Sequence, residues 1–276
     1  MRFSISVMCD CLNVSRSGYY KWLKCPRSTR TANNKLLDAE IISVYEAHKG
    51  NYDSPRITKE LQAANIPCSE NRVSRRMVAM GLKAKGKKKF KATTDSSHKL
   101  PVFDNLLKRD FHATAPNKKW VSDISYVWTI EGWLYLCVFI DLFSRSVIVW
   151  SMIKRINKQL VCDAITMALW RRGLPQDVIV HSDRGSQYAS KQYRDLLTNH
   201  GLIGSMSRKG DCWDNSVAES FFKTIKYEHL YDFSFKTREH AKQEIFKYIE
   251  VYYNKRRRHS YLGYVAPEKF EKIAYA

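Results

Sequence analysis

The 276-residue sequence has no apolar run of the roughly 18 residues needed to cross a bilayer. Its opening, MRFSISVMCD, is too poor in apolar length for a secretory leader. It has no CxxC pair, and its seven cysteines (Cys9, Cys11, Cys25, Cys68, Cys137, Cys162 and Cys212) are scattered and odd in number. That argues against a disulfide framework or a structural zinc site and fits reduced thiols in a cytoplasmic protein. No long heptad run and no internal repeat are present. Acidic residues are the scarce charge, 27 against 47 Lys plus Arg, for a net charge of +20. Such a surplus calls for a polyanion, and without a membrane-spanning segment nucleic acid is the better match than an anionic membrane. Hydrophobic residues make up 44% of the chain, enough for a packed core.

Residues 3–24 read as two short helices around a turn at Leu12, Asn13 and Val14, with Ser15 capping the second. Arg16, Tyr19 and Lys21 on that helix are placed to meet phosphates and bases, as in a helix-turn-helix; an ordinary helical hairpin with a basic solvated face fits the pattern equally. A polar link over 26–34 leads to a second helical unit. There Leu36, Leu37, Ile41, Ile42 and Tyr45 form one apolar stripe, and Ser54–Pro55 opens the next helix. Ser69 caps a third helix, in which Val73, Met77 and Met80 are expected to face inward and Arg72, Arg75 and Arg76 outward. It is a candidate recognition helix, or else a solvated basic face. KAKGKKKFK follows, and Lys87, Lys88 and Lys89 within it suit a flexible connector that tracks a phosphate backbone.

From Pro116 the composition shifts to Val, Ile, Trp, Tyr and Phe. Strands are expected over 119–129, 133–143 and 145–152 as a meander, then a helix over 159–171 and a fourth strand over 177–181. A helix over 191–200, a short fifth strand, a helix carrying Glu219 and a long helix over 237–253 complete the pattern. The order implies an α/β fold: a mixed five-stranded sheet with flanking helices, preceded by small all-α units. The expected segments are 1–30 and 31–84 (helical), 85–115 (basic linker), 116–230 (sheet core) and 231–276 (C-terminal helix and basic tail on the core).

Three acids stand out. Asp123 interrupts the strand-like KWVSDISYVW, Asp183 follows the apolar run at 178–180, and Glu219 lies 36 positions later on a helix. Carboxylates gathered from strand, strand end and helix repel unless a cation joins them. Two hard divalent ions held this way would activate one oxygen and receive another at a phosphodiester. Asn215, Glu219, Lys223 and Lys226 share one helix face, which suits a metal beside a phosphate backbone. Taken singly, Glu219 with Lys223 is an ordinary i,i+4 pair, and Asp183 an ordinary turn residue. Asp141 is a rival ligand, ranked below Asp123 as a structural acid near the turn at Arg145.

The blocks WVSDISYV, HSDRGSQY and MSRKGDCWDNSVAESFFKTIK resemble the DDE transposases of bacterial insertion sequences, specifically the downstream-frame product, OrfB, of the insertion sequence three family. SRSGYYKWL, YDSPRITKEL and VSRRMVAMGLKAK resemble its amino-terminal helix-turn-helix segments, and YNKRRRHSYLGYVAPEKFE its carboxy-terminal signature. The resemblance implies a ribonuclease-H-like, retroviral-integrase-like core with Asp123, Asp183 and Glu219 as catalytic and metal-binding triad, loaded with two Mg2+ or Mn2+ ions. It implies a DNA contact at Lys226, and cleavage and joining of element ends by direct transesterification. The partners implied are terminal inverted repeats and target DNA, an upstream-frame OrfA protein or a fusion with it, and further copies of the chain, near the bacterial nucleoid. Asp53 departs from the glycine common there. A non-catalytic DNA-binding regulator and a plain nuclease are the alternatives; intact acids argue against the first, a helical DNA-binding front end against the second.

Overall fold

The computed structural model describes residues 3–24, 29–86 and 100–274. The chain divides into two compact units, Met1–Gly86 and Lys87–Ala276.

In the first unit α1 (Ile5–Cys11) and α2 (Arg16–Lys24) flank a turn in which Asn13 takes a positive φ. The Ser15 hydroxyl accepts from the Gly18 amide at 3.0 Å, the expected capping contact at the start of α2. No residue of α2 is buried. Helix α3 (Thr29–Ala47) begins inside the stretch expected to be a polar link. Only Leu37 and Ile41 of the expected α3 stripe are buried; Leu36 and Ile42 are exposed. A 3.6-residue period cannot keep adjacent pairs on one face, so one member of each pair turns outward. Helix α4 (Ser54–Ala63) is capped by Asp53, whose carboxylate accepts from the Arg56 amide at 3.3 Å. An acid at this N-cap is stabilising, which gives the departure from glycine a structural use. Helix α5 (Glu70–Ala79) buries Val73 and Met77 against Leu37, Ile41, Ile57 and Leu61.

The second unit is a five-stranded sheet of order β3-β2-β1-β4-β5: β1 (Lys119–Thr129), β2 (Gly132–Asp141), β3 (Val147–Ile153), β4 (Ile179–Ser182) and β5 (Ile203–Met206). The first three strands are an antiparallel meander; β4 runs parallel to β1 and β5 parallel to β4. Side chains alternate between the two faces. One face packs Trp120, Cys137 and Phe139 under α6 (Lys158–Arg171) and α7 (Lys191–Asn199). The other packs Val121, Val127, Leu136 and Val138 under α8 (Ser216–Glu228), α9 (Arg238–Phe246) and a π-helical stretch, Lys247–Tyr253. A short helix, α10 (Pro267–Ala274), closes the described chain.

Three further expectations change. The long helix over 237–253 is α-helical only to Phe246 and then widens to a π-helix. Residues assigned to a linker are partly core, since Leu107 is 2% and Ala113 7% exposed. Arg72 and Arg76 do not simply face outward. The Arg72 guanidinium donates to Asn34 Oδ1 at 3.0 Å, and Arg76 forms a two-pronged pair with Asp38 at 2.7 and 2.6 Å. Asn34 with Asp38, and Arg72 with Arg76, each sit one helical turn apart, so the two helices zip together through polar ends. Arg75 is the exposed member of the three.

Candidate active site

Strand pairing positions the two aspartates. Val121 lies opposite His181 in the parallel β1–β4 ladder, which ends there on β1. Two residues further on, each strand presents an acid: Asp123 on β1 and Asp183 just past β4. The period of two puts Asp123 on the same sheet face as Val121, the face that α8 covers. Past Val121 the β1 edge is clear of β4, so the cleft opens where the parallel pairing stops.

Helix α8 is tied to that opening from the other side. The Asn215 side-chain amide donates to the carbonyl of Ser122 at 3.1 Å, one residue before Asp123. Glu219 follows one helical turn later, half-buried, with the Lys223 ammonium 3.8 Å from its carboxylate. Ala218, Phe221, Phe222 and Ile225 anchor the opposite side of the helix in the core. At the β4 end, Gly185 donates its amide to Asp183 Oδ1 at 2.9 Å. A Cβ on Gly185 would stand 3.0 Å from both that oxygen and Gln187 Oε1, so a side chain there would crowd the acid.

The electrostatics show that the three carboxylates share one field. Burial raises the Asp123 carboxyl well above the usual carboxylate range; Asp183 and Glu219 each raise it further, against the Ile124 amide and the Lys226 ammonium. Glu219 is raised as well, first by burial and then by Asp183, with Lys223 opposing. Lys226 is brought down to about 8 by burial, with Asp123 opposing. Its ammonium sits 5.0 Å from the centroid of the Tyr126 ring. Among the described residues no three His, Cys, Asp or Glu side chains stand at metal-ligating spacing. The acids are therefore within electrostatic reach of one another without forming a closed cage.

Asp141 is a different kind of acid. It is fully buried, and its two oxygens accept the amides of Asn117 and Phe143, both at 2.8 Å. A carboxylate satisfied by backbone amides, one in its own turn and one just ahead of β1, is structural. The expected DNA contacts divide likewise. Lys223 is exposed beside Glu219, whereas Lys226 is buried at 6% exposure. Arg16 and Lys21 lie exposed on α2, and Tyr19 packs its ring 5.6 Å from that of Tyr20. Lys87, Lys88 and Lys89 lie outside the described residues.

Sequence reasoning missed Asp214. Buried completely, it accepts from Arg208 (side chain at 3.0 Å, amide at 2.9 Å), Arg109 at 2.8 Å and Asn105 at 2.8 Å. These bonds, led by the Arg208 side chain, hold its carboxyl far below the usual range. The clamp fixes the loop that delivers Asn215 and α8. Its signal was local: two acids and two cations crowded into RKGDCWD, which a period-based reading passes over. His181 buttresses the same region. Its ring bridges the hydroxyls of Ser205 at 2.8 Å and Ser207 at 3.2 Å, and burial lowers it to about 4, so it stays neutral.

A mixed sheet in this order, with acids at the β1–β4 opening and on the covering helix, defines the integrase and transposase class of ribonuclease-H-like cores, whose activity is polynucleotidyl transfer. Two models of the integrase core domain match residues 113–212 and 200–267, and an HTH-like domain matches 31–90. The chain is 47% identical over 273 residues to the transposase InsF of insertion sequence IS3A from Escherichia coli K12, covering 98% of this chain and 94% of that one. It is 42% identical over 265 residues to a 31 kDa protein of insertion element IS600 from Shigella sonnei, covering 96% and 97%. Among solved structures, the HTLV-2 integrase catalytic core in complex with magnesium aligns at 16% identity and a TM-score of 0.43, covering 58% of this chain and 98% of that one. The Mos1 transposase catalytic domain aligns at 16% identity and a TM-score of 0.42, covering 49% and 72%. The chain belongs to the IS3 family of insertion-sequence transposases.

Proposed function

We propose that this transposase cuts the terminal inverted repeats of its own element and joins the freed ends to target DNA by direct transesterification, with Asp123, Asp183 and Glu219 as its catalytic acids. The observation that carries the assignment is geometric: the β1–β4 register sets Asp123 and Asp183 each two residues past a paired Val121 and His181, and Asn215 ties the helix of Glu219 to Ser122 beside them. Half-buried acids that repel one another are costly without a counter-ion, and perturbed groups of this kind gather at functional sites. Carboxylate oxygens are the donors that Mg2+ or Mn2+ prefers, so the donor set fits a pair of such ions. When bound, the ions would supply Lewis acidity to the attacking and departing oxygens. The protein's own part is positional. Asn215 holds α8 against β1, Gly185 orients Asp183, and Lys226 places a cation beside the acids for an incoming phosphodiester.

The net charge of +20 supports binding along DNA, with α2, Arg75 on α5 and Lys87–Lys89 as contact points. Bringing two element ends together calls for a multimer on DNA, and a downstream-frame product of this kind would work with an upstream-frame partner or fusion that helps find the repeats, at the nucleoid. The decisive assay gives the full chain Mg2+ and labelled duplexes carrying its element ends. Wild type is expected to cleave and join strands, and Asp183→Asn to bind the same DNA without cutting it. Equal cutting by both proteins would overturn the assignment.

A further inference from the structure

Beyond the three acids, Lys226 also walls a second feature. Its side chain borders an open pocket of about 480 Å³, formed between the β1–β2 hairpin and the segment that follows α8. The volume lies in the range of small-ligand sites. Aromatic rings dominate its lining. Trp133 packs edge-on to Tyr126 at 5.0 Å and 81°, and to Trp128 at 4.7 Å and 70°. Trp128 is nevertheless 58% exposed and Trp133 42%, while Tyr231 across the pocket is 56% exposed. Large aromatic faces left open to solvent mark a binding surface more often than a packing accident.

The rings are held in place before anything binds. The hairpin turns at residues 130–131, where Thr129 Oγ1 donates to the Gly132 carbonyl at 2.7 Å and Gly132 takes a φ of 102°. The Ile130 amide donates to the Phe235 carbonyl at 3.0 Å, and Arg238 Nε donates to the Trp133 carbonyl at 3.0 Å. The tip is thereby braced to the following segment. Among the described residues no acid lines the pocket, and its one charged wall is Lys226. Flat apolar faces with a single cation at the edge complement a ring attached to an anionic backbone.

We infer that this pocket receives one unstacked DNA base from the strand whose phosphodiester lies at Asp123, Asp183 and Glu219. This rests on the cleavage proposed above and adds to it a binding role for Trp128, Trp133 and Tyr126. Bases stack on aromatic side chains without regard to sequence, and lifting a base out of the helix bends the backbone toward the group that holds it. Lys226 both lines the pocket and lies within electrostatic reach of Asp123, so the phosphate joined to the docked nucleotide would pass beside its ammonium.

The test uses full-length protein and element-end duplexes in which single abasic sites are walked across the scissile region. Trp128→Ala is expected to lower affinity for intact ends about tenfold, Trp128→Phe to retain most of it, and one abasic position to erase the difference between wild type and Trp128→Ala. Binding is read in the Asp183→Asn background, so the result stands whether or not the protein cleaves. A failed cleavage assay with the abasic pattern intact would sink the proposed chemistry and leave the pocket. Equal affinity of Trp128→Ala and its parent for intact ends would overturn the pocket assignment. So would a loss that is the same at every abasic position, or a change in oligomeric state with DNA binding untouched, which would mark a protein-docking face instead.

Discussion

The side-chain amide of Asn215 donates to the carbonyl of Ser122, joining the start of α8 to the residue before Asp123. The bond spans two elements that carry different acids, and Asn215 is 3% exposed. Removing it would leave a buried carbonyl without its partner and let α8 shift along the cleft. Asn215→Ala is therefore expected to weaken Mg2+ binding about 10- to 100-fold, the usual scale for groups that orient ligands. A thermal-shift titration with Mg2+ reads this directly. A purely structural role would lower the melting temperature and leave the Mg2+ midpoint unchanged.

The second prediction concerns the charge of the acids. Asp123 and Glu219 have raised pKa values in the fold, so each contributes stability when protonated and loses it as pH rises through the folded value. Wherever they ionise, both strain the metal-free chain. Asp123→Asn removes one of the repelling charges and is expected to stabilise that chain by about 1 kcal/mol while abolishing cleavage, as substitutions that relieve a functional site often do. Mg2+ is expected to raise the melting temperature of wild type by mass action and to leave the variant nearly unmoved. A variant less stable than wild type without metal would show that Asp123 is held by favourable contacts instead.

Asp123 stands out in the sequence because a carboxylate inside an apolar strand is conspicuous, whereas Asp183 and Glu219 taken singly look ordinary. What the sequence could not show is the ladder register that sets Asp123 two steps past Val121 and Asp183 two steps past His181. Register depends on which strands pair, and β1 and β4 are separated by two strands and a helix. The meander, its hairpin and the order of helices were readable from periodicity. The π-helical stretch after Phe246 was not, because its composition continues that of an ordinary amphipathic helix. Lys226, expected on the Glu219 face, lies buried against Tyr126, since a long apolar stem can be covered while its head stays near the cleft.

Asp214 makes the third prediction. Its folded pKa is depressed by the Arg208 and Arg109 bonds, so its contribution is fully present above the ordinary value of 3.8 and is lost as pH falls below it. Asp214→Asn keeps the shape and removes the charge. It is expected to melt well below wild type at pH 7, with the gap starting to close near pH 5 and closing further as pH falls past 3.8 toward the depressed folded value. A second consequence is a slower cleavage step at neutral pH, because the clamped loop leads into Asn215 and α8. A melting gap that stays constant across that pH window would mean the Asp214 charge plays no part in the clamp.

The arginines of α5 supply the last prediction, because the fold separates residues that the sequence grouped together. Arg76 is engaged with Asp38 and Arg72 with Asn34, while Arg75 is exposed. An arginine committed to holding two helices together has fewer donors left for phosphate; an exposed one keeps its five. Arg75→Ala is expected to leave thermal stability unchanged and to reduce the salt dependence of DNA binding by roughly one phosphate contact. Arg76→Ala is expected to do the reverse first, loosening the α3–α5 packing and lowering the melting temperature, with DNA affinity falling only as a consequence. Measuring log K against log salt for both variants, with melting curves alongside, separates the two roles. If Arg76→Ala lowered the salt slope as Arg75→Ala should while melting like wild type, the pair with Asp38 would not be what holds α5 in place, and Arg76 would belong with the DNA contacts after all.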